Sequence, residues 1–185
     1  YEDKAGHPKM KLLQVEEGNR VAQLPEQIYT YPWLSGVAEI EYKASYPFTW
    51  MTFRDPEMPF VVEMEAFSPF IPHDVKNSSL PGIVFKFSIR SKTKRTVPVM
   101  LLMSWRNQVG YDVEDRRYVS RLQEGKGWKL FEMGAEVMDP KHDSFGTQAV
   151  ASLAGASTYY LGWESAHPYY EIALRNRKLP NIDDT

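Results

Sequence analysis

Residues 64–90 read MEAFSPFIPHDVKNSSLPGIVFKFSIR, and the last eight carry the clearest pattern in the chain. Ile83, Phe85, Phe87 and Ile89 point one way, and Val84, Lys86, Ser88 and Arg90 the other. A period of two is the mark of a half-buried antiparallel strand. The same alternation precedes the stretch. In PFVVEMEAF, Phe60, Val62, Met64 and Ala66 share a face opposite Val61, Glu63 and Glu65. In GVAEIEYKAS, residues 36–45, Ala38, Ile40, Tyr42 and Ala44 oppose Glu39, Glu41 and Lys43. Between two good strands the chain inserts a loop with three prolines, Pro69, Pro72 and Pro81, which restrict φ and narrow its alternatives.

Working outward, VPVMLLMSW (97–105) reads as a strand buried on both faces, with Met100 and Leu102 filling the normally polar side. SKTKR before it reads as a basic, hairpin-like connection. WKLFEMGAEV, TQAVASLA and STYYLGW are further strand candidates. So are Met10–Val15 and Gln27–Tyr31, separated by the turn-like EEGNR. Helix signals are weak. YDVEDRRYVSRLQEG (111–125) reads as a short helix or a loop, and YYEIALRNRK as one or two helical turns or an extended tail. Many short strands without long helices predict an all-β fold: an antiparallel two-sheet β-sandwich with at most short helical turns, over a single domain, 1–185.

The chain has 185 residues, 43% hydrophobic and 25% charged, an ordinary globular composition with a size suited to one domain. Twenty-two basic and 24 acidic residues leave a formal net charge of −2. That balance offers no electrostatic footprint for nucleic acid or an anionic membrane. No apolar run reaches the ~18 residues of a transmembrane segment. The absence of cysteine excludes disulfides, thiolate metal sites and cysteine nucleophiles, and fits a reducing, cytoplasmic compartment without fixing one. The chain starts YEDKAGHPK, neither a signal peptide nor an initiator Met, and is expected to be a processed or excised piece.

Glu63 and Glu65 are the obvious carboxylate pair. Retaining glycosidases hold two carboxyls ~5.5 Å apart, whereas i and i+2 along a strand are roughly 6.5–7 Å apart at Cα. A solvated outer face gives the same pattern and is the expected reading. His7, His73, His142 and His167 are scattered singly, with no spacing motif for a metal. There is no GxSxG, and Ser68, Ser78 and Ser79 sit in proline-rich loop sequence. EGKGW has no phosphate-loop spacing and reads as a turn before a strand. Trp105, Trp128, Trp163, Tyr159 and Tyr160 are candidates for a sugar-stacking platform, with the protein core the commoner fate. No catalytic residue, metal site or cofactor is expected in this chain.

EAFSPFIP (Glu65–Pro72), the small-residue run ending in Leu-Pro (Ser78–Pro81) and the later Ser104–Asn107 together resemble a known family. It is the amino-terminal domain of the non-lysosomal glucosylceramidase and bile-acid β-glucosidase family, glycoside hydrolase family 116. ASYPFTWMTFRDPEMP (44–59) and DSFGTQAVASLA (143–154) are similar to further segments of it, so the likeness covers roughly residues 35–165. His73, Lys76 and the Tyr-rich STYYLGW depart from the family pattern, and the chain is expected to begin after that domain's first segment.

The resemblance implies a β-sandwich joined, in the same parent polypeptide, to a catalytic (α/α)6 barrel that hydrolyses β-glucosides, including glucosylceramide, with retention. The Glu nucleophile and Asp general acid lie in that barrel, which is not present here, so neither carries over to any position. On this reading the proline loop is a domain-interface or substrate-rim element built from Phe67, Ser68, Pro69, Phe70, Ile71, Pro72, Asp74, Asn77 and Ser78. Phe67, Phe70 and Ile71 would dock on a neighbouring surface, while Asp74, Asn77 and Ser78 brace the loop backbone. Folding over its own core is the bland alternative for the loop. The rival functions are a stand-alone carbohydrate-binding module, favoured by an exposed aromatic row on one flat face, and a protein-interaction module, favoured by a large exposed apolar patch.

Overall fold

The computed structural model describes residues 1–15, 34–136, 139–162 and 166–183, with side chains in the last segment from 169 onward. The expected strand Gln27–Tyr31, the EEGNR turn and Trp163 lie outside the described residues. The chain divides into two compact units, Tyr1–Val99 and Met100–Thr185. Both are built mainly of antiparallel sheet with few helices, the all-β class that the alternation predicts.

In the first unit, β1 (Lys11–Val15) pairs parallel with β2 (Ser35–Val37). The strands β3 (Glu39–Ser45), β4 (Phe48–Arg54), β5 (Phe60–Phe67) and β6 (Val84–Ser91) follow as a four-stranded antiparallel meander. The β3–β4 hairpin turns at Tyr46–Pro47 through a cis peptide. The register aligns Ile40, Phe53, Val62 and Ile89 across all four strands, and Tyr42, Met51, Met64 and Phe87 in the next row. Directly opposed residues share a face, so these two apolar rows fall on one side of the sheet. Val37, Phe53, Met58, Phe60 and Val62 are buried there, with Tyr1, Leu13, Ile40 and Val97 packed around them. Burial is concentrated at this end of the face. Tyr42, Phe85 and Ile89 are exposed, and Ile83 stands outside β6.

The β4–β5 turn is held by charge. Asp55 is only 5% exposed. Its carboxylate accepts from Glu57 N at 2.8 Å and lies 3.3 Å from Lys11 Nζ, which also reaches Glu57 at 2.8 Å. Lys92 Nζ donates to the carbonyls of Asp55 (3.0 Å) and Met58 (3.2 Å). The SKTKR stretch thus sends Lys92 back onto this turn instead of forming a hairpin.

In the second unit, β7 (Arg117–Gly125), β8 (Trp128–Glu136) and β9 (Gln148–Ser152) form an antiparallel sheet. EGKGW makes the β7–β8 hairpin, with Gly127 at φ +85°. Residues 117–125 are therefore strand, not helix. Tyr118, Ser120 and Leu122 face Ala135, Met133 and Phe131 across the ladder, and Arg121 opposes Glu132. Two short strands, β10 (Tyr160–Leu161) and β11 (Ile182–Asp183), pair in parallel. Among the described residues two helices complete the list: α1 (Val75–Ser78) in the first unit and α2 (Ala166–Asn176) in the second.

The YYEIALRNRK segment takes its helical alternative in α2. Tyr169 and Ala173, four apart on one stripe, are buried, and Tyr169 donates to Met103 O at 3.2 Å. Burial pushes the Tyr169 hydroxyl up to about 12. The helix stops at Arg177, whose φ of 55° is left-handed and whose N–H bonds Ala173 O. VPVMLLMSW forms no ladder with any of the described residues. Val99, Leu101, Met103 and Trp105 are exposed, so this segment is neither a paired strand nor buried on both faces.

Removing one partner from a buried ion pair leaves the other charge uncompensated. Asp55→Ala is expected to lower the unfolding free energy by about 3 kcal/mol in urea titrations, with Asp55→Asn recovering part by keeping the bond from Glu57 N. Desolvation pulls the Lys11 pKa down, but the Glu57 and Asp55 carboxylates more than offset it and the pKa is raised above 10.5. The pair's contribution is therefore fully present below pH 10.5 and is lost as pH rises through the folded value. Lys11→Met should abolish that alkaline slope.

Candidate functional site

β5 ends at Phe67 and β6 resumes at Val84, directly opposite it, so the proline loop leaves and re-enters the sheet at one place. Inside, the loop is closed on itself. Ser78 Oγ accepts from Ile71 N at 2.9 Å and donates to Ile71 O at 3.1 Å. Asp74 N also donates to Ile71 O, at 3.0 Å. Asp74 caps α1: its carboxylate accepts from Asn77 N at 3.0 Å and from the Asn77 amide. These Asn77 bonds, the side-chain one foremost, hold the Asp74 carboxyl below its usual value. Ser79 Oγ donates to Val75 O at 2.6 Å. His73, just ahead of the cap, has a φ of 67°, uncommon for a non-glycine residue.

The remaining loop residues turn outward to different degrees. Phe67 is half-buried, its ring 5.2 Å from that of Phe48. Pro69 is half-buried, while Ser68 and Pro72 are exposed. Phe70 is 48% exposed and Ile71 49%. Phe70 meets Tyr46 edge-on at 5.2 Å, so the β3–β4 turn and the proline loop touch through their rings. Val75 and Leu80 add further exposed apolar surface.

Glu63 and Glu65 do share the outer face of β5, but each is engaged across the sheet. Glu63 pairs with Arg90 at 2.7 Å, and Glu65 accepts from Trp50 Nε1 at 2.9 Å. Their nearest partners are thus a cation and an indole rather than each other. His7 lies 3.6 Å from Asp3. His142 meets Ser144 Oγ at 2.9 Å, and that hydroxyl donates to Asp112 at 2.6 Å, holding the Asp112 carboxyl below its usual value. Serine sits between the other two, so Asp112 does not orient the imidazole, and the trio serves to tie two loops together. The side chain of His167 lies outside the description. Among the described residues no three His, Asp or Glu side chains converge as a metal site.

The four described platform candidates do not form one row. Trp105 is exposed on the unpaired 97–105 segment. Trp128 folds back over its own hairpin, where a Cβ on Gly125 would sit 2.5 Å from its Nε1. Tyr159 packs at 5.4 Å against Phe131, and Tyr160 is half-buried in β10. The sequence reading missed Tyr46, Phe48 and Trp50. Their signal was available: FTW puts rings at i and i+2, on the face that β3 lines with Glu41 and Lys43.

The Ser78 hydroxyl makes two bonds to one residue, so Ser78→Ala should loosen the loop without touching the core. The Ile71 amide is expected to exchange at least about fivefold faster, read by hydrogen exchange. Because the Asp74 pKa is lowered, its cap is intact above pH 3.8 and is lost as pH falls through the folded value.

A family model described as beta-glucosidase 2, glycosyl-hydrolase family 116 N-term matches residues 1–175. The match takes in the segments that carried the resemblance and extends to both sides of them. An N-terminal domain of such an enzyme implies a catalytic domain elsewhere in the parent polypeptide. No helix among the described residues is long and apolar enough to cross a membrane. One family model spans nearly the whole chain, proline loop and sheets included, and the chain belongs to the N-terminal domain family of glycoside hydrolase family 116.

Proposed function

We propose that residues 1–185 act as one non-catalytic β-sandwich domain of a retaining β-glucosidase of the glucosylceramidase type. Its proline loop packs on a separate (α/α)6 barrel and shapes the rim of the glucoside pocket. The observation that carries this reading is the pairing of rigidity with exposure. Ile71 is bonded through both its N–H and its C=O, yet its side chain and that of Phe70 stay about half exposed. Holding apolar side chains in water on a fixed frame has no return within the loop itself. It lowers the ordering cost of docking against another surface. Turnover by double displacement then uses carboxylates outside this chain, which fits the commitment of Glu63 and Glu65 to Arg90 and Trp50.

The test uses the full parent polypeptide and a chromogenic β-glucoside. Phe70→Asp and Ile71→Asp, which put a charge into the docked surface, should each lower kcat/KM by about tenfold or more. Glu63→Gln and Glu65→Gln should leave it within about threefold. The 185-residue chain by itself should give no turnover. Turnover by that chain would overturn the proposal and make Glu63 and Glu65 the first residues to examine.

A further inference from the structure

The face of the β3–β6 sheet opposite the core carries a pattern that neither the fold nor the loop requires. Across the four strands, Lys43, Trp50, Glu65 and Lys86 stand in one row. On one side of it come Ser45, Phe48, Phe67 and Val84, and on the other Glu41, Thr52, Glu63 and Ser88. Aromatic and charged rows therefore lie side by side on one sheet surface. Phe48 and Trp50 stack at 5.7 Å with 16° between their planes, and each keeps more than a third of its surface in water. The indole is held by its bond to Glu65 Oε2, which fixes the ring and leaves Oε1 without that donor. Glu41 reaches Lys43 at 2.8 Å and Arg54 at 3.4 Å.

We infer that this face binds a glucose-type saccharide, a second contact with sugar outside the docking loop. The C–H face of a pyranose stacks on the side of the Trp50 ring away from Phe48. Its hydroxyls bond the Glu65 carboxylate beside the indole and the Lys86 ammonium in the same row. A protein partner fits this surface less well. Docked protein surfaces exclude charge from their centres, and covering Glu41, Lys43, Glu63 and Arg90 would desolvate ion pairs now in water. A saccharide covers one or two rings and leaves those pairs solvated. The aromatic content alone suits either occupant; the interleaved charges favour the sugar. The family's description as a beta-glucosidase sets the choice of probe. This inference does not rest on the loop docking against a barrel.

The experiment follows the indole N–H cross-peak of Trp50 by NMR, identified with Trp50→Phe, while cellobiose is added to the 185-residue chain. Saturable movement of that peak is expected, with a dissociation constant of millimolar order. Trp50→Ala should weaken binding by about tenfold. Glu65→Gln keeps the sheet and an acceptor for the indole, and should weaken binding several-fold, which covers the case that Trp50→Ala does not fold. An unmoved indole peak under excess cellobiose overturns the inference, and so does binding that survives both substitutions. Movement of the peak only when the remainder of the parent polypeptide is added would assign the face to protein docking, and would equally overturn it.

Discussion

The in-register ladder of β3 to β6 is the constraint on which the first unit depends. β4 is paired on both sides, with Phe53 between Ile40 and Val62, and Trp50 between Lys43 and Glu65. The side-chain period along a strand is two, so a slip of one residue would exchange these two sets between the faces. The charged rows would enter the core and Phe53 would enter water. Burial of Phe53, Phe60 and Val62 prevents that. The same register fixes the outer face and brings Phe67 opposite Val84, which sets where the proline loop begins and ends.

Charge and hydrogen bonding finish what the ladder starts. Asp55 is buried at the β4–β5 turn and tolerated there because Lys11 and the Glu57 amide satisfy it. The proline loop uses neutral bonds instead, centred on Ile71 and Ser78. In the second unit a single buried phenol, Tyr169, anchors α2 by its bond to Met103, and Asn107 steadies the chain nearby through Gly134 O and Val109 N. Polar groups with catalytic potential are absorbed by this work. The carboxylates of β5 neutralise Arg90 and orient Trp50, and the Ser144 hydroxyl is shared between Asp112 and His142.

What could be read in the sequence was local. Alternation in β3, β5 and β6 gave the faces, EGKGW gave its hairpin, and Asp74, Asn77 and Ser78 gave the bonds that short polar side chains make in loops. What could not be read depended on partners far along the chain. VPVMLLMSW has the composition of a buried strand, but a ladder needs a neighbour, and none among the described residues pairs with it. The charges of 111–125 mask a strand whose identity comes from Trp128–Glu136. Glu63 and Glu65 look like a pair until Arg90 and Trp50, 27 and 15 residues away, arrive beside them. Phe48 and Trp50 were legible in FTW, but the meeting of Phe48 with Phe67 was not, since it comes only through the register. The family resemblance, carried by Glu65–Pro72, named the family without placing a single catalytic group, because the family's reaction chemistry is expected in another domain.

The central claim is that the rigid, exposed Phe70–Ile71 corner meets a surface of the parent polypeptide beyond residues 1–185. A photo-crosslinking amino acid placed at position 70 of the full parent, followed by mass spectrometry of the joined peptides, tests it most directly. The account predicts crosslinks from position 70 to residues outside this chain, in its catalytic domain. Crosslinks confined to residues 1–185 would contradict it, and would make the proline loop a cover for its own sheet.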